Sequence, residues 1–217
     1  KTGTAATPRQ AYVHCTSPRG LPIGTLPGGC SAAGQGVHCA IASLAVGARV
    51  SFVIPVTPQA AANGTTLSNT ATVTGGGDPS CPGGANCTST VNTPVNAPQL
   101  TIVKSASAGN FVVGVPASYT LQVTNTGTAA TTSTSTINDT IPGTLTIGTL
   151  PAGCSAVGQS VTCTIASGLA TGAGNAVSFV IPVTPTAAAS GTTEVNTGTV
   201  TGGGDPSCPG GANCTST

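Results

Sequence analysis

The residues VSFVIPVTP at 177–185 decide the fold class, because apolar side chains recur at every second position along them. The row consists of Val177, Phe179, Ile181 and Val183. A period of two places all four on one face of a β-strand and predicts that this face is buried. SFVIPVTP also occurs at 51–58, at an offset of 127 residues. The chain therefore contains the same predicted strand twice.

The duplication extends over most of the chain. TVTGGGDPSCPGGANCTST at 72–90 recurs without change at 199–217, again at an offset of 127. Farther upstream the offset is 124, where TLPGGC ending at Cys30 corresponds to TLPAGC ending at Cys154. A fixed period of this length indicates two copies of one structural unit, with a small length difference in a loop.

The first copy is shorter than the second at its start. Residues 91–125 have no counterpart before Lys1, so the first copy lacks about 35 residues. In the second copy this piece holds two predicted strands, and a sandwich without them exposes an apolar groove and open strand edges. Two explanations remain open: the natural chain continues upstream of Lys1, or another copy supplies the strands by β-augmentation.

The second copy is expected to form seven short strands, with Pro, Gly and Asn in the gaps between them. The predicted strands are 100–104, 117–125, 132–138, 144–149, 159–165, 176–184 and 193–201. Their number and spacing are typical of an immunoglobulin-like sandwich. We therefore predict an all-β fold with two tandem immunoglobulin-like Greek-key β-sandwich repeats, the first without its two N-terminal strands. The predicted boundaries are 1–90 for the incomplete repeat, 91–99 for a linker and 100–217 for the complete repeat.

The composition excludes several classes of function. Only 4% of the residues are charged and 2% are aromatic, whereas about 25% charged residues are usual in soluble domains. A net charge of +1 without a cluster of Lys or Arg offers nothing to nucleic acid. The sequence also lacks an apolar run long enough to span a bilayer, so we predict no membrane insertion. Folding must depend on backbone ladders, small apolar cores and cross-links.

Eight of the nine cysteines are matched by the repeat. Their short, duplicated spacing predicts four local disulfides, Cys30–Cys39, Cys81–Cys87, Cys154–Cys163 and Cys208–Cys214. This framework indicates an oxidising, extracellular setting. Zinc is disfavoured, because no further His or Cys pair completes a tetrahedral site. Cys15 aligns with Asp139, and it is either a free thiol or bonded to another subunit.

No residue pattern typical of an active site is present. The acidic residues are Asp78, Asp139, Glu194 and Asp205, and the histidines are His14 and His38. The second copy retains neither histidine, and no nucleophile elbow, phosphate-binding loop or metal-spaced motif occurs. We therefore expect no enzyme activity, no cofactor and no metal.

One autocatalytic reaction remains as an alternative. A buried Lys–Asn pair beside a carboxylate can form an isopeptide bond, and Lys104, Asn196 and Glu194 provide these groups on predicted strands. The first copy has no equivalent lysine, and Leu67 takes the position of Glu194. The favoured expectation is that Lys104 points to solvent.

Several residues are candidate glycosylation sites. Asn-x-Ser/Thr sequons and a threonine-rich run permit N-linked and O-linked sugar respectively. The candidates are Asn63, Asn86, Asn138, Asn213, Thr131, Thr132, Thr134 and Thr136. Covalent glycans would solubilise a surface that has few charges.

Three segments together resemble a known family. They are LTIVKSASAGNFVVGVPASYTLQVTNTGTA, INDTIPGTLTIGTLPAGCSAVGQSVTCTI and EVNTGTV, within residues 98–201. This pattern is similar to the repeat of bacterial surface proteins known as domain of unknown function 11, and residues 1–74 share it in part. The resemblance implies tandem sandwiches in stalks, adhesins or fibres and brings no catalytic residues. The GGGDPSCPGGANCTST segment departs from the family pattern.

The sequence thus predicts an extracellular structural protein, a subunit of a filament or stalk assembled head-to-tail from copies of itself. Such assembly allows strand complementation of residues 1–90. The alternative is a cell-surface adhesin that binds a glycan or protein through its loops. A spacer without any binding role is a third interpretation, although both of its copies should then be complete.

Overall fold

The computed structural model describes residues 10–217, where the regular elements are β-strands and single turns of 3-10 helix. The KTGTAAT segment at 1–7 and the start of the predicted incomplete repeat lie outside the described residues. Fourteen strands form three antiparallel sheets, so the all-β prediction is confirmed. The chain divides into two compact units, Lys1–Val95 and Asn96–Thr217, which we call unit 1 and unit 2.

Unit 1 contains a single five-stranded sheet. Its strands are β1 (Ala11–Thr16), β2 (Cys30–Ala33), β3 (Gly36–Ile41), β4 (Thr66–Gly75) and β5 (Thr88–Pro94). The strand order is β2-β3-β1-β4-β5, with β1 in the centre. On β3, Val37 and Cys39 are buried and the residues between and beside them are more exposed, so one face of the sheet points inward.

Unit 2 contains two sheets. Its strands are β6 (Leu100–Ala106), β7 (Ala117–Asn125), β8 (Ser135–Thr140), β9 (Leu145–Ile147), β10 (Cys154–Val157), β11 (Ser160–Ile165), β12 (Val177–Pro185), β13 (Gly198–Gly202) and β14 (Thr215–Ser216). The sheet orders are β10-β11-β8-β13-β14 and β6-β7-β12-β9. Leu121 and Ile181 of the second sheet share one apolar core with Ile137, Val161 and Val200 of the first. Unit 2 is therefore a β-sandwich.

The sheet of unit 1 corresponds strand for strand to one sheet of unit 2. The order β2-β3-β1-β4-β5 repeats as β10-β11-β8-β13-β14. Among residues 10–95, the structure describes no counterpart of β6 or β7. The prediction of tandem repeats, with the first lacking its two N-terminal strands, is thereby confirmed.

Some boundaries differ from the predicted ones. Residues 91–94, expected in the linker 91–99, belong to β5, because their backbone pairs with β4. Residues 193–197, expected in the last strand, form no strand, because β14 pairs only with Gly198 and Thr199. β10, a four-residue strand that pairs with β11, was not predicted from the sequence.

The GGGDPSCPGG segment of unit 2 has a structural role. The carboxylate of Asp205 accepts the backbone N–H of Leu100 at 2.6 Å and that of Ser207 at 2.8 Å. Cys208 and Cys214 belong to the buried core cluster. The segment therefore secures the start of β6 and contributes to the core.

Candidate functional site

The clearest difference between the two units concerns one repeated strand. In unit 2, SFVIPVTP lies in β12, which pairs with β7 along most of its length and with β9 at its end. In unit 1, the same residues at 51–58 form only an isolated bridge between Ile23 and Val56. Val56 is 41% exposed, whereas its counterpart Val183 is 1% exposed.

The missing neighbours cause this difference, because the eight residues are identical in both units. β12 is paired by β7 and packs into the sandwich core, whereas no strand pairs with the corresponding edge of residues 51–58 within the described part of unit 1. The effect extends to the facing sheet, where Val73 is half-buried and its counterpart Val200 is fully buried. Unit 1 thus presents an open inner face, which we define by Val13, Cys15, Phe52, Ile54, Val56 and Val73.

Cys15 lies on this open inner face. It is half-buried, and it is the one cysteine outside a disulfide among residues 10–217. On β1 it pairs with Ala71, as Asp139 pairs with Gly198 in unit 2. The Cys15 thiol donates to Oδ1 of Asn69 at 2.9 Å. A strand that completed unit 1 would therefore approach this thiol.

His14 and His38 lie close together, although the sequence predicted no site that includes them. They face each other on β1 and β3, with 2.6 Å between their Nδ1 atoms, and His14 also contacts the Thr74 hydroxyl at 3.2 Å. Unit 2 has Asn138 and Thr162 at these positions, joined by a hydrogen bond of 3.2 Å. Each is a polar cross-strand pair on a partly exposed face.

Four disulfides are present in the structure. They join Cys30 to Cys39, Cys81 to Cys87, Cys154 to Cys163 and Cys208 to Cys214. The Cys154–Cys163 bond connects directly opposite residues of β10 and β11. It therefore holds a four-residue edge strand in place.

Replacing Cys154 and Cys163 together by alanine is expected to lower the free energy of unfolding of unit 2 by about 2–3 kcal/mol, because the lost cross-link closes a short loop. Denaturant unfolding under non-reducing conditions measures the change. In reductant the variant and the unmutated protein should differ by much less. An equal difference with and without reductant would show that packing, rather than the cross-link, was lost.

A buried ion pair occupies the core of unit 2. Lys104 Nζ lies 2.5 Å from Asp139 Oδ2, and the side chains are 2% and 0% exposed. The lysine is on β6 and the aspartate on β8, so the pair joins the two sheets. The Tyr119 ring centroid lies 4.6 Å from the ammonium nitrogen. The expectation that Lys104 points to solvent was wrong, because its carboxylate partner is distant in sequence.

Burial shifts the pKa values of both partners toward their neutral forms. Desolvation lowers the pKa of Lys104, and its hydrogen bond and attraction to Asp139 oppose this only in part. Desolvation likewise raises the pKa of Asp139 against the opposing effects of Lys104 and Asn196. An amine and a carboxyl group with converging pKa values can exchange a proton within the core.

Asn196 lies beside this pair. It is 4% exposed and close enough to lower the pKa of Asp139. Nevertheless, neither its Oδ1 nor its Nδ2 has a hydrogen bond of normal geometry within the described structure, and the same holds for Asp139 Oδ1. Glu194, the carboxylate that the sequence placed near Asn196, is instead half-buried and accepts a hydrogen bond from the Thr192 hydroxyl at 2.7 Å. The sequence identified the lysine and the asparagine but not the carboxylate between them.

One cluster has the composition of a metal site. Asp205, Cys208 and Cys214 bring their ligand atoms within 4.8 Å of one another. The two sulfurs are bonded to each other and offer no thiolate, and the carboxylate accepts two backbone N–H groups. The donor set does not fit a metal ion.

The candidate glycosylation sites differ in accessibility. Asn86, Asn138, Asn213, Thr132 and Thr134 are exposed, and Asn63 and Thr136 are half-buried. Thr131 is 4% exposed, and its hydroxyl accepts the backbone N–H of Leu169 at 2.8 Å. The Thr131 hydroxyl is thus engaged inside the fold, unlike the hydroxyls of Thr132 and Thr134 at the exposed positions.

Fold and site together define a protein of tandem immunoglobulin-like β-sandwich repeats. No protein-family model matches the chain, and no curated protein matches it. Among solved structures, the chain is similar to one named BspA_C_WT, with a TM-score of 0.44 and 10% identity, covering 90% of this chain and 81% of that chain. A likeness of this degree carries no argument about function. The resemblance to domain of unknown function 11 rests on the motifs quoted above.

Proposed function

We propose that this protein is a subunit of an extracellular filament or stalk, assembled head-to-tail from copies of itself. The open inner face of unit 1 is the observation that carries the proposal. An apolar segment that forms a buried strand in one unit, and is more exposed and lacks a neighbouring strand in the described part of the other, is suited to accept strands from outside the unit. Strand addition supplies backbone hydrogen bonds together with apolar burial.

The chemistry of the chain supports an extracellular location. Four disulfides are typical of proteins that fold under oxidising conditions. Within residues 10–217, none of the helices has the length and apolar character needed to cross a bilayer. In our proposal the chain has no enzymatic turnover, and exposed sequons such as the one at Asn86 carry covalent glycans.

Head-to-tail contact explains how such a unit forms a fibre. A donor surface on one copy and the open face on the next are different surfaces, so the contact is heterologous. Contacts of this kind give rings if the rotation closes and open helical polymers if it does not.

We expect Ile54→Asp to abolish assembly, because it places a carboxylate in the row that the donor strands must cover. Val53→Asp is the matched control: the neighbouring side chain is 78% exposed and lies on the opposite face of the strand. The measurement is electron microscopy with size-exclusion chromatography on non-reduced protein. Regular filaments for the unmutated chain and for Val53→Asp, with monomers for Ile54→Asp, support the proposal.

Two outcomes would contradict this proposal. Monomers of the unmutated chain at high concentration would indicate that the covering strands belong to the same polypeptide, upstream of Lys1. Filaments that survive Ile54→Asp would indicate contacts elsewhere on the molecule. In the first case, a version extended upstream should be a stable monomer in which Val56 is protected from solvent.

An adhesin remains the second candidate, and one feature favours it. Unit 2 has an open groove of about 660 Å³, whose lining includes Phe111, Tyr119 and Glu194. Aromatic and acidic side chains are common in sugar-binding sites. Glycan-array binding by the unmutated chain that Phe111→Ala removes would favour the adhesin.

A further inference from the structure

The buried group of unit 2 contains every component of an amide-forming reaction. Lys104 supplies a primary amine and Asn196 a carboxamide, and Asp139 lies between them in the core. We propose that unit 2 forms an internal isopeptide bond between Nζ of Lys104 and Cγ of Asn196, with Asp139 as the catalytic group. The inference is independent of the proposed filament, because it concerns the interior of one unit.

Strand register brings the three residues together. Gly198 of β13 pairs with Asp139 of β8, and Asn196 precedes Gly198 by two residues. Asn196, just outside the strand, is buried beside the Asp139 carboxyl group and lowers its pKa. A Cβ on Gly198 would meet Leu121 at 2.9 Å and Lys104 Cδ at 3.9 Å. The glycine therefore faces β6 and β7 and leaves room for the lysine stem.

The Asn196 carboxamide is available for reaction. Its oxygen and nitrogen are buried and lack hydrogen bonds of normal geometry within the described structure. A buried amide without well-formed hydrogen bonds is costly to the folded state. Such groups are rare and call for an explanation. Conversion of this amide into a link to Lys104 provides one.

The reaction balances within the three side chains. A proton passes from the Lys104 ammonium to Asp139, which leaves a neutral amine and a neutral carboxyl group. Nζ attacks Cγ of Asn196 while the Asp139 carboxyl donates to the carboxamide oxygen. The tetrahedral intermediate then loses Nδ2 as ammonia, with protons relayed from Nζ through the carboxylate. The Nζ–Cγ bond forms, the Cγ–Nδ2 bond breaks, and no oxidant or cofactor is required.

The environment favours the neutral reactants. Desolvation shifts the pKa of the amine downward and that of the carboxyl group upward. The ion pair and the neutral pair contain the same number of protons, so the reactive form arises by internal transfer. Leu121 and Ile102, which flank the lysine stem, are 0% and 3% exposed and exclude water from this part of the core.

Unit 1 provides an internal comparison. Asn69 corresponds to Asn196, but Cys15 replaces the aspartate and residues 10–95 include no counterpart of β6. Within residues 10–95, unit 1 therefore offers neither a counterpart of the Lys104 amine nor an acid–base group at the position of Asp139. The bond is expected in unit 2 alone.

The bond would connect the first strand of unit 2 to the segment that enters β13. Tension applied near the two ends of unit 2 would pass through this amide rather than through residues 105–195. Residues 105–195 would then stay folded under a load that breaks the backbone hydrogen bonds between strands. This property suits a stalk or fibre but does not depend on either.

Tryptic digestion of the denatured, reduced and alkylated protein tests the proposal. The chain has five Lys and Arg residues, and Lys104 is the last of them, so cleavage there separates 50–104 from 105–217. Acylation of Nζ removes this cleavage site. We expect one fragment, 50–217, whose mass is lower than the sequence mass by one ammonia, with fragment ions that join Lys104 to Asn196.

Three variants provide the controls. Lys104→Arg keeps the charge and the tryptic site, so digestion should yield two fragments, and Asn196→Ala should do the same. Asn69→Ala should still yield the single fragment. Cleavage at Lys104 in the unmutated protein overturns the proposal without reference to any variant's folding. An uncleaved fragment that has lost water instead of ammonia assigns the bond to Asp139 and also overturns it.

Ammonia can also leave by cyclisation of the Asn63–Gly64 pair, which lies in the same fragment. That reaction does not protect Lys104 from trypsin. A mass loss accompanied by normal cleavage after Lys104 therefore counts against the proposal.

Discussion

Asp139→Ala is expected to lower the free energy of unfolding of unit 2 by at least about 3 kcal/mol. Removal of one partner from a buried ion pair costs roughly 3–5 kcal/mol, because the other charge remains without compensation in the core. Lys104 and Asp139 are 2% and 0% exposed at their side chains, so solvent offers little relief. Loss of the catalytic carboxylate also prevents the proposed cross-link. The unpaired lysine and the missing cross-link both lower the free energy of unfolding.

Tyrosine fluorescence can follow this change in unit 2 alone. The chain has no tryptophan and two tyrosines, Tyr12 in unit 1 and Tyr119 in unit 2. In a Tyr12→Phe background, denaturant unfolding monitored by fluorescence therefore reports unit 2. A loss below about 1 kcal/mol, the value typical of exposed ion pairs, would show that the pair is not buried in solution.

Two further variants separate the contributions. Asp139→Leu combined with Lys104→Met removes both charges, and replacement of a buried pair by apolar residues of similar size is often neutral or stabilising. Any decrease in the free energy of unfolding that remains in the double variant, relative to the unmutated protein, measures the contribution of the cross-link. Cys15→Ala, at the position in unit 1 that corresponds to Asp139, should change stability by less than about 1 kcal/mol, since this thiol is half-buried and uncharged.

The second large effect is expected from one substitution made in two identical sequences. Ile181→Asp should unfold unit 2, because Ile181 is 0% exposed and a carboxylate there has no partner. Such substitutions lower the free energy of unfolding by more than about 4 kcal/mol. Ile54→Asp changes the corresponding residue of unit 1, where the side chain is only half-buried. In the unassembled chain, Ile54→Asp should lower the free energy of unfolding of unit 1 by about 1 kcal/mol or less.

Hydrogen exchange followed by mass spectrometry measures both variants in the same experiment, because peptides from the two units are distinct. Ile181→Asp should remove protection from β7 and β12 and leave β1 and β3 protected. Ile54→Asp should leave both units protected in the monomer. Equal losses of protection would show that unit 1 is closed in solution, which would contradict an open inner face.

The sequence predicted features that depend on local patterns. Alternating residues such as Phe179 and Ile181 indicated inward-facing rows, and both are buried. The shortest strands were harder to predict from the sequence. β10 has only four residues, too few for an alternating pattern to be recognised, and it forms a strand because it pairs with β11.

For the buried group, sequence reasoning found two residues out of three. Lys104 and Asn196 stood out as an amine and an amide on predicted strands. Asp139 lies 35 positions from Lys104, and its alignment with Cys15 concealed its role. The apparent alternative, Glu194, was favoured only because it is close to Asn196 in sequence, and in the structure its carboxylate accepts a hydrogen bond from Thr192 instead.

By itself, the sequence determined the all-β class and the duplication, because strand periodicity and repetition are local properties of the chain. It also paired the eight repeated cysteines by spacing alone. Only the tertiary structure decided what SFVIPVTP does in each unit and which carboxylate meets Lys104. Burial and charge pairing depend on strands that are remote in sequence, and an identical octapeptide is core where β7 covers it and surface where no strand does.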